Sequence, residues 1–326
     1  MDNITLSILI PTYNRDYYVI KNIELLSKII RINKIENEVE IVISNNNSTD
    51  LTKEKIDTFV QKNDDIKFLF NTQDKNNGLE KNALFTLKMA RGIFVMYLGD
   101  DDFLDLEYFK NVVKYISEIK KLNVIIPNNY PIDTNGIIIG EQRDKNKSTL
   151  ILNSGFITCY KYSWRAHQLS GLVLRREGLY EAYIKHKVSN IYPFIFFVAY
   201  LSLHGKVVHL VENPIKITTV NQKNKDWNYG NDGLINDVFD NYNKLDINVL
   251  YKTLLQIKFL YVQPWRIFIG KNGENNKSNK IKHYFRLFLT PNTAILFKIL
   301  LPGIIFILFL RLNVYQKVHR YLKQNH

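Results

Sequence analysis

The stretch RGIFVMYLGDDDFLD, residues 91–105, decides how this chain is to be read. Its apolar run Ile93–Leu98 is too short for a typical helix and rich in aromatic residues, so it reads as a buried strand. Three carboxylates, Asp100, Asp101 and Asp102, follow at once, and a helical segment begins near Leu104–Asp105. Adjacent carboxylates repel one another unless a cation or several donors offset their charge. Their position directly after a strand points to a bound metal, and hard oxygen ligands suit Mg²⁺ or Mn²⁺, which keep waters and bridge substrate phosphates. The plainer alternative is a solvated acidic turn in which Asp102 or Asp105 caps the helix.

Upstream the same unit recurs. Short apolar runs at Leu6–Ile10, Val39–Ile43 and Ile66–Phe70 alternate with stretches of helical spacing, the second from about Asp50 to Val60 and the third from Gly78 to Ala90. With Ile93–Leu98 this is a βαβαβαβ pattern, which folds as an open, mostly parallel sheet with helices on both faces. Each run ends in a polar cluster: Thr12-Tyr13-Asn14-Arg15, Asn45-Asn46-Asn47-Ser48, Asn71-Thr72-Gln73-Asp74 and the Asp triplet. Open α/β sheets bind ligands at the carboxyl ends of their strands, so four clusters should converge on one edge. Ser48, Thr49 and Asp50 read first as a cap of the second helix.

Beyond Pro127 the pattern loosens into strand-like pieces at Gly136–Gly140, Thr149–Leu152, Leu172–Leu174 and Val207–Val211, with a helical stretch around Phe194–Leu203. Residues Asn221–Asn231 turn to Asn, Lys and Gly and read as a loop or boundary; from Leu234 onward the pattern is helical. The chain has 326 residues, 46% hydrophobic, and a net charge of +13 that is unevenly placed. Residues 251–326 carry 13 Lys or Arg against the single acid Glu274. Within that tail, Ala294–Leu310 is apolar but broken by Lys298 and Pro302-Gly303, short of the roughly 20 residues a spanning helix needs. The flanking segments IKHYFRLFL and RLNVYQKVHRYLKQNH mix basic and aromatic residues, a composition suited to lying in a membrane interface. The apolar run within the tail and the near-neutral first 250 residues argue against nucleic acid as a partner. One cysteine, Cys159, allows no intrachain disulfide and fits a reduced cytoplasmic setting. The amino-terminal run LSILI ends in Pro11 and reads as a strand rather than a secretory signal.

The segments SILIPTYNR (7–15), IVISNNNSTD (41–50) and NNGLEKNALFTLKMARGIFVMYLGDDD (76–102) resemble, in order and spacing, the successive motifs of family-2 glycosyltransferases of the GT-A fold. After about residue 130 the resemblance rests on SGLVLRR and HGKVVHLVENPI. It implies a GT-A domain over 1–220, with a nucleotide-sugar-binding half (1–127) and an acceptor half (128–220), followed by a basic, partly apolar helical region, 221–326, associated with the membrane. By this resemblance Pro11, Thr12, Tyr13 and Asn14 border the nucleotide, with the Tyr13 ring on the base, unless Tyr13 is an ordinary core residue. Relatives usually carry an acid in the second-strand motif; Asn45 and Asn46 stand there instead, and an amide can pair with uracil, thymine or cytosine. Gly78 and Lys81 at the start of the third helix suit a pyrophosphate. Asp100 is expected near the ribose or phosphate, Asp101 on the metal, and Asp102 as a second ligand or an anchor.

The resemblance implies an inverting, metal-dependent transfer of one sugar from a UDP, dTDP or CDP donor to a lipid-linked or growing surface glycan, such as capsule or O-antigen, at the cytoplasmic side of the membrane. Many relatives supply the general base from a Glu-Asp pair in the second half. The corresponding stretch here, HKVSNIYPFIFF, has no carboxylate, which leaves His167, Glu177 and Glu181 as candidates. Abequosyltransferase-like relatives share both the LGDDD-type run and the missing pair. The alternatives are a nucleotidyltransferase, whose glycine-rich basic loop PTYNRDYY does not supply, and a catalytically degenerate membrane-binding relative.

Overall fold

The computed structural model describes residues 4–219, 234–268, 280–303 and 306. Two units divide the chain, Met1–Lys225 and Asp226–His326. The first opens with β1 (Leu6–Thr12), α1 (Asp16–Asn33), β2 (Val39–Asn45), α2 (Thr52–Gln61), β3 (Lys67–Thr72), α3 (Gly78–Met89), β4 (Phe94–Tyr97) and α4 (Leu106–Glu118). It continues with β5 (Leu122–Ile132), β6 (Leu150–Leu152), α5 (Phe156–Tyr162), a 3-10 turn at Ser163–His167, β7 (Val173–Arg175), α6 (Leu179–Lys185), α7 (Pro193–His204) and β8 (Lys206–Thr218).

The eight strands form one sheet in the order β3-β2-β1-β4-β7-β5-β8-β6. β1 pairs in parallel with β2 and β4, β2 with β3, and β5 with β8, while β7 and β6 run against their neighbours. β1 and β2 are buried along their whole length because helices cover both faces of the sheet. On one face Val19, Ile23, Leu26 and Ile30 of α1 and Tyr108, Phe109 and Val112 of α4 pack against Ile8, Ile10, Ile41 and Met96. α7, apolar all round, is buried on nearly every side, as such a helix must be.

The four amino-terminal strands stand where the periodicity puts them. The second half differs more: β5, α5 and α6 are elements the periodicity does not mark, and two of the pieces read there change. Gly136–Gly140 is no strand: Asp133 Oδ1 accepts the N–H groups of Asn135 and Ile137, making a turn, and only an isolated bridge joins Ile138 to Ile132. β8 runs on well past Val211, through an irregular register at Pro127/Asn129 of its partner β5, a length the mixed polar sequence ENPIKIT hides.

The second unit contains α8 (Ile235–Asn243), α9 (Val249–Val262), a 3-10 turn at Pro264–Phe268, α10 (Lys280–Leu289) and a helical stretch at 295–303. Val238, Phe239, Leu255, Phe259 and Phe297 are buried. A polar knot fixes the turn at Asn292, whose carbonyl accepts from Asn243 Nδ2 (2.5 Å) and Gln256 Nε2 (2.9 Å), while Gln256 Oε1 accepts the N–H of Ala294 (2.9 Å). Among the described residues no helix is long and apolar enough to cross a membrane. The loop read at Asn221–Asn231, the end of the Ala294–Leu310 run and the basic segment after it lie outside the described residues.

Candidate active site

Parallel register sets the strand ends in one row. Thr12 pairs with Asn45 and Asn45 with Thr72, while β4 ends beside Leu9 of β1. The row extends through Asn46 N–H to Thr12 O (2.9 Å) and Gln73 N–H to Asn45 O (2.8 Å). The four polar clusters therefore share one edge.

The carboxylate loop is tied from three sides. Thr12 Oγ1 donates to Asp100 Oδ2 (2.7 Å), and Arg15 Nε lies 3.9 Å from the other oxygen. Asn22, fully buried on α1, donates through Nδ2 to the carbonyls of Gly99 (3.0 Å) and Asp102 (2.9 Å). From the far side, Asp102 Oδ2 accepts from Ser170 Oγ (2.5 Å) and Oδ1 from the Thr218 N–H (2.8 Å), while Thr218 Oγ1 donates to the Asp101 carbonyl (2.6 Å). Both oxygens of Asp102 thus take a hydrogen bond from the protein, which makes it an anchor of the loop and leaves each oxygen a further lone pair for a second-ligand role. Gly99 is needed at the turn, because an added Cβ would lie 2.9 Å from Asp102 Oδ2. Asp105 caps α4, its Oδ1 accepting from Glu107 N–H (2.8 Å). The carboxylate triplet and the helix cap are separate features.

Tyr13 is 39% exposed, which removes the reading of it as a core residue. Asn14 sits at a positive φ of 53° and is held by the β2–α2 loop: its N–H donates to Ser48 Oγ (2.8 Å) and its Oδ1 accepts from Thr49 N–H (2.8 Å). Ser48 and Thr49 therefore brace Asn14, and only Asp50 serves α2, accepting the Thr52 N–H (3.0 Å). Asn45 and Asn46 are buried, contrary to the expectation that they face a base. Asn45 Oδ1 accepts from Ser48, and Asn46 bridges to the next loop through Asn77 N–H (2.9 Å) and Asn76 Oδ1 (2.7 Å). Exposed Asn47, at φ 59°, is the amide of this run on the surface. Gly78 also has a positive φ, 82°, and its N–H donates to Asn76 Oδ1 (2.9 Å); Lys81 is exposed in the first turn of α3. Pro11 is buried beneath this edge.

The candidate bases separate. Glu177 and Glu181 line a shallow pocket with Leu87, Lys88, Ile93 and Arg176, at the amino-terminal end of β4. From Ile93 to Asp100 the chain runs the length of that strand, roughly 20 Å at the usual rise, which sets Glu177 away from the carboxylate loop, while Glu181 stands two residues before Tyr183 on α6. His167 stays on the site edge, in the 3-10 turn leading to Ser170, stacked on Trp164 with Nδ1 3.0 Å from the Trp164 carbonyl.

Sequence reasoning missed Asn22, Asn82, Ser170 and Thr218. Asn82 on α3 joins two strand ends, accepting from Ser44 Oγ (2.6 Å) and donating to the carbonyls of Ser44 (3.0 Å) and Thr12 (3.4 Å). Asn22 left a signal: it is polar at a core position of the periodic set Val19, Ile23, Leu26. Ser170 and Thr218 left none, because their partner is 68 and 116 residues away.

A buried ionic cluster ties β8 to the segments around Asp144 and Arg165. Asp144 accepts from Arg165 Nη2 (2.8 Å), Arg143 Nε (2.9 Å) and Lys147 Nζ (2.6 Å), and lies 3.1 Å from His209 Nε2. Burial opposes its ionisation, but the hydrogen bonds from His209 and Arg165 and the Arg143 charge outweigh that and hold the carboxyl well below its usual range. Burial lowers His209 below its ordinary value, with Asp144 opposing, and lowers Arg143 to about 10. Burial also pushes the Cys159 thiol up to about 12, which makes it a packing residue.

The family model described as Glycosyl transferase family 2 matches residues 7–166. Residues 7–166 are a family-2 glycosyltransferase domain. Among curated relatives of that domain, abequosyltransferase RfbV of Salmonella typhimurium is 36% identical over 99 residues, 30% of this chain and 28% of the relative. The GalNAc(5)-diNAcBac-PP-undecaprenol β-1,3-glucosyltransferase of Campylobacter jejuni is 33% identical over 104 residues, 30% of this chain and 29% of that one. The chain thus spans under a third of the length of these curated relatives. In fold, the chain is similar to Staphylococcus aureus TarS 1-349, solved with UDP-GlcNAc: TM-score 0.64, 17% identity, 89% of this chain and 82% of that one. It is also similar to a mannosyltransferase of Pyrobaculum calidifontis solved with GDP-Man and Mn²⁺: TM-score 0.58, 12% identity, 90% and 79%. The mixed α/β sheet with helices on both sides is that of GT-A glycosyltransferases.

Proposed function

We propose that the chain is a metal-dependent, inverting glycosyltransferase that moves one sugar from a pyrimidine nucleoside-diphosphate donor to a lipid-linked or growing cell-surface glycan. The observation that carries this reading is the convergence of Thr12, Tyr13, Asn14 and the Asp100–Asp102 loop at one sheet edge, with Thr12 bonded directly to Asp100. Tyr13 presents its exposed ring to the base, Asp100 faces the ribose or phosphate, and the start of α3 with Lys81 lies toward the diphosphate. The name of the Campylobacter jejuni relative, a glucosyltransferase of an undecaprenol-linked saccharide, supports the acceptor class.

The residues present fit a hard divalent ion. Among the described residues no three His, Cys, Asp or Glu side chains form a metal group. The protein's share would therefore be the Asp101 carboxylate, held at the loop by the Thr218 bond to its carbonyl, with diphosphate and water as the remaining ligands, the arrangement Mg²⁺ and Mn²⁺ favour. When bound, such an ion offsets the charge that builds on the departing diphosphate. Asp102, Ser170 and Thr218 hold the loop so that this carboxylate needs no rearrangement during the reaction.

The second unit we assign to the cytoplasmic membrane surface. Residues 275–326 contain nine Lys or Arg and no Asp or Glu, and Phe285, Phe288, Leu289, Ile295 and Ile299 are exposed. Apolar side chains with surrounding positive charge suit an anionic lipid interface.

The test is release of nucleoside diphosphate from a panel of UDP-, dTDP-, CDP- and GDP-sugars with Mn²⁺ and an undecaprenol-linked saccharide extract. Release from one donor class is expected; release from none contradicts the reading and favours a degenerate relative.

A further inference from the structure

Resting on the transferase reading, the reaction needs a group to take the acceptor's proton, and the segment Lys187–Tyr192 before α7 supplies no carboxylate. Its Asn190 is buried, with Oδ1 accepting the Tyr192 N–H (2.9 Å). We propose that Glu80, on the first turn of α3, is that group. Glu80 reaches across to this segment: its Oε1 accepts from Tyr183 Oη (2.8 Å), and its Oε2 lies 3.4 Å from Ser189 Oγ.

Three contacts place it at the site edge. Tyr97, the last residue of β4, donates its hydroxyl to the Ala83 carbonyl (3.0 Å) and packs edge-on against Phe194 at the start of α7 (4.8 Å between centroids). β4, α3 and α7 therefore meet at Tyr97. From that level the chain climbs three residues to Asp100, while Glu80 stands one turn before Ala83 on a helix whose amino terminus lies at the same edge. Asn82, beside it, bonds the carbonyl of Ser44 in the strand-end row. α6 fits this geometry, running back along α3 from the Glu177 pocket at the opposite edge to Tyr183 at Glu80.

Several other carboxylates on this edge serve the fold, and Asp74, between β3 and α3, is exposed. Asp16 pairs with Lys55 (2.6 Å), Asp50 accepts from Thr52, and Asp102 is anchored. Glu80 is only partly buried, and Ser189 next to it is exposed, which leaves the pair open to an incoming hydroxyl. In the step, the acceptor oxygen bonds the anomeric carbon as its proton passes to a Glu80 oxygen. The bond from that carbon to the diphosphate oxygen breaks, its electron pair leaving with the nucleotide. Tyr183 and Ser189 orient the carboxylate for this transfer.

The experiment compares wild type with Glu80→Gln on the donor that the panel identifies, following kcat, KM and thermal stabilisation by the matching nucleotide. The expected result is a fall in kcat of about 100-fold or more, with nucleotide stabilisation retained. Azide, a nucleophile that needs no deprotonation, should then restore turnover as a glycosyl azide; a merely structural residue gives no such rescue. If Glu80→Gln loses nucleotide binding, Glu80→Asp decides through the acid limb of its kcat/KM profile, which must shift from that of the wild type. Unchanged kcat in Glu80→Gln, loss without azide rescue, or an unshifted Glu80→Asp profile overturns the proposal while leaving the transferase reading intact. A wild type that turns over no donor overturns both.

Discussion

Asn22 carries more of the site than any residue the motifs name, because one amide group holds two carbonyls of the carboxylate loop from inside a helix. Asn22→Ala leaves those carbonyls buried without their donor, a change that costs about 2 kcal/mol. Stability in denaturant and nucleotide affinity should fall together, and an unchanged affinity would show that the loop holds its shape without this helix. His209 makes a second residue-scale prediction. Its folded pKa is depressed below the ordinary value of 6.5, so the unfolded chain takes up a proton that the folded one resists. The stability tied to His209 is therefore complete above about pH 6.5 and declines as the pH falls below it. His209→Asn should lower thermal stability at neutral pH and flatten its slope between about pH 7.5 and about pH 5.5; a slope equal to wild type would contradict the assignment.

At the scale of elements, the start of β4 is fixed by a close approach. Gly92 donates its N–H to Ser7 Oγ (2.8 Å), and a Cβ there would lie 2.7 Å from the Ser7 backbone nitrogen. The fully buried Glu40 accepts from Ser7 Oγ (2.6 Å) and from Arg91 (2.7 and 2.8 Å), completing the join of β1, β2 and β4. Gly92→Ala should cost about 1–3 kcal/mol by overpacking, measured by chemical denaturation, and a neutral effect would mean that β4 can shift. The first four strands were legible because each is a short apolar run closed by a polar cluster, and a parallel register then brings those clusters to one edge. The second half was less legible because its strands owe their place to partners far along the chain. Gly136–Gly140 has the isoleucines of a strand, yet Asp133 turns it, and β8 continues through residues that carry no strand pattern. The same cause hid the anchoring of Asp102, whereas the strand-end positions of Tyr13 and Asp100 could be read from local sequence, their duties coming only from the resemblance.

For the whole molecule, the two units divide the proposed work: the first holds the donor chemistry and the second the charge and exposed apolar side chains suited to a membrane. Full-length protein should sediment with vesicles containing phosphatidylglycerol and be released as salt rises, because the attraction is to surface charge. Replacing Phe285 and Leu289 with Ser should weaken that binding without altering nucleotide affinity; equal binding to neutral vesicles, or none to either, would count against the assignment. The most direct single measurement is titration of UDP, dTDP, CDP and GDP into the protein with and without Mn²⁺, repeated with Asp101→Ala. One nucleotide should bind in a metal-dependent manner, and that dependence should vanish in the variant while the fold is retained. Binding that ignores Mn²⁺, or that survives unchanged in Asp101→Ala, would contradict a metal-assisted nucleotide-sugar site at this sheet edge.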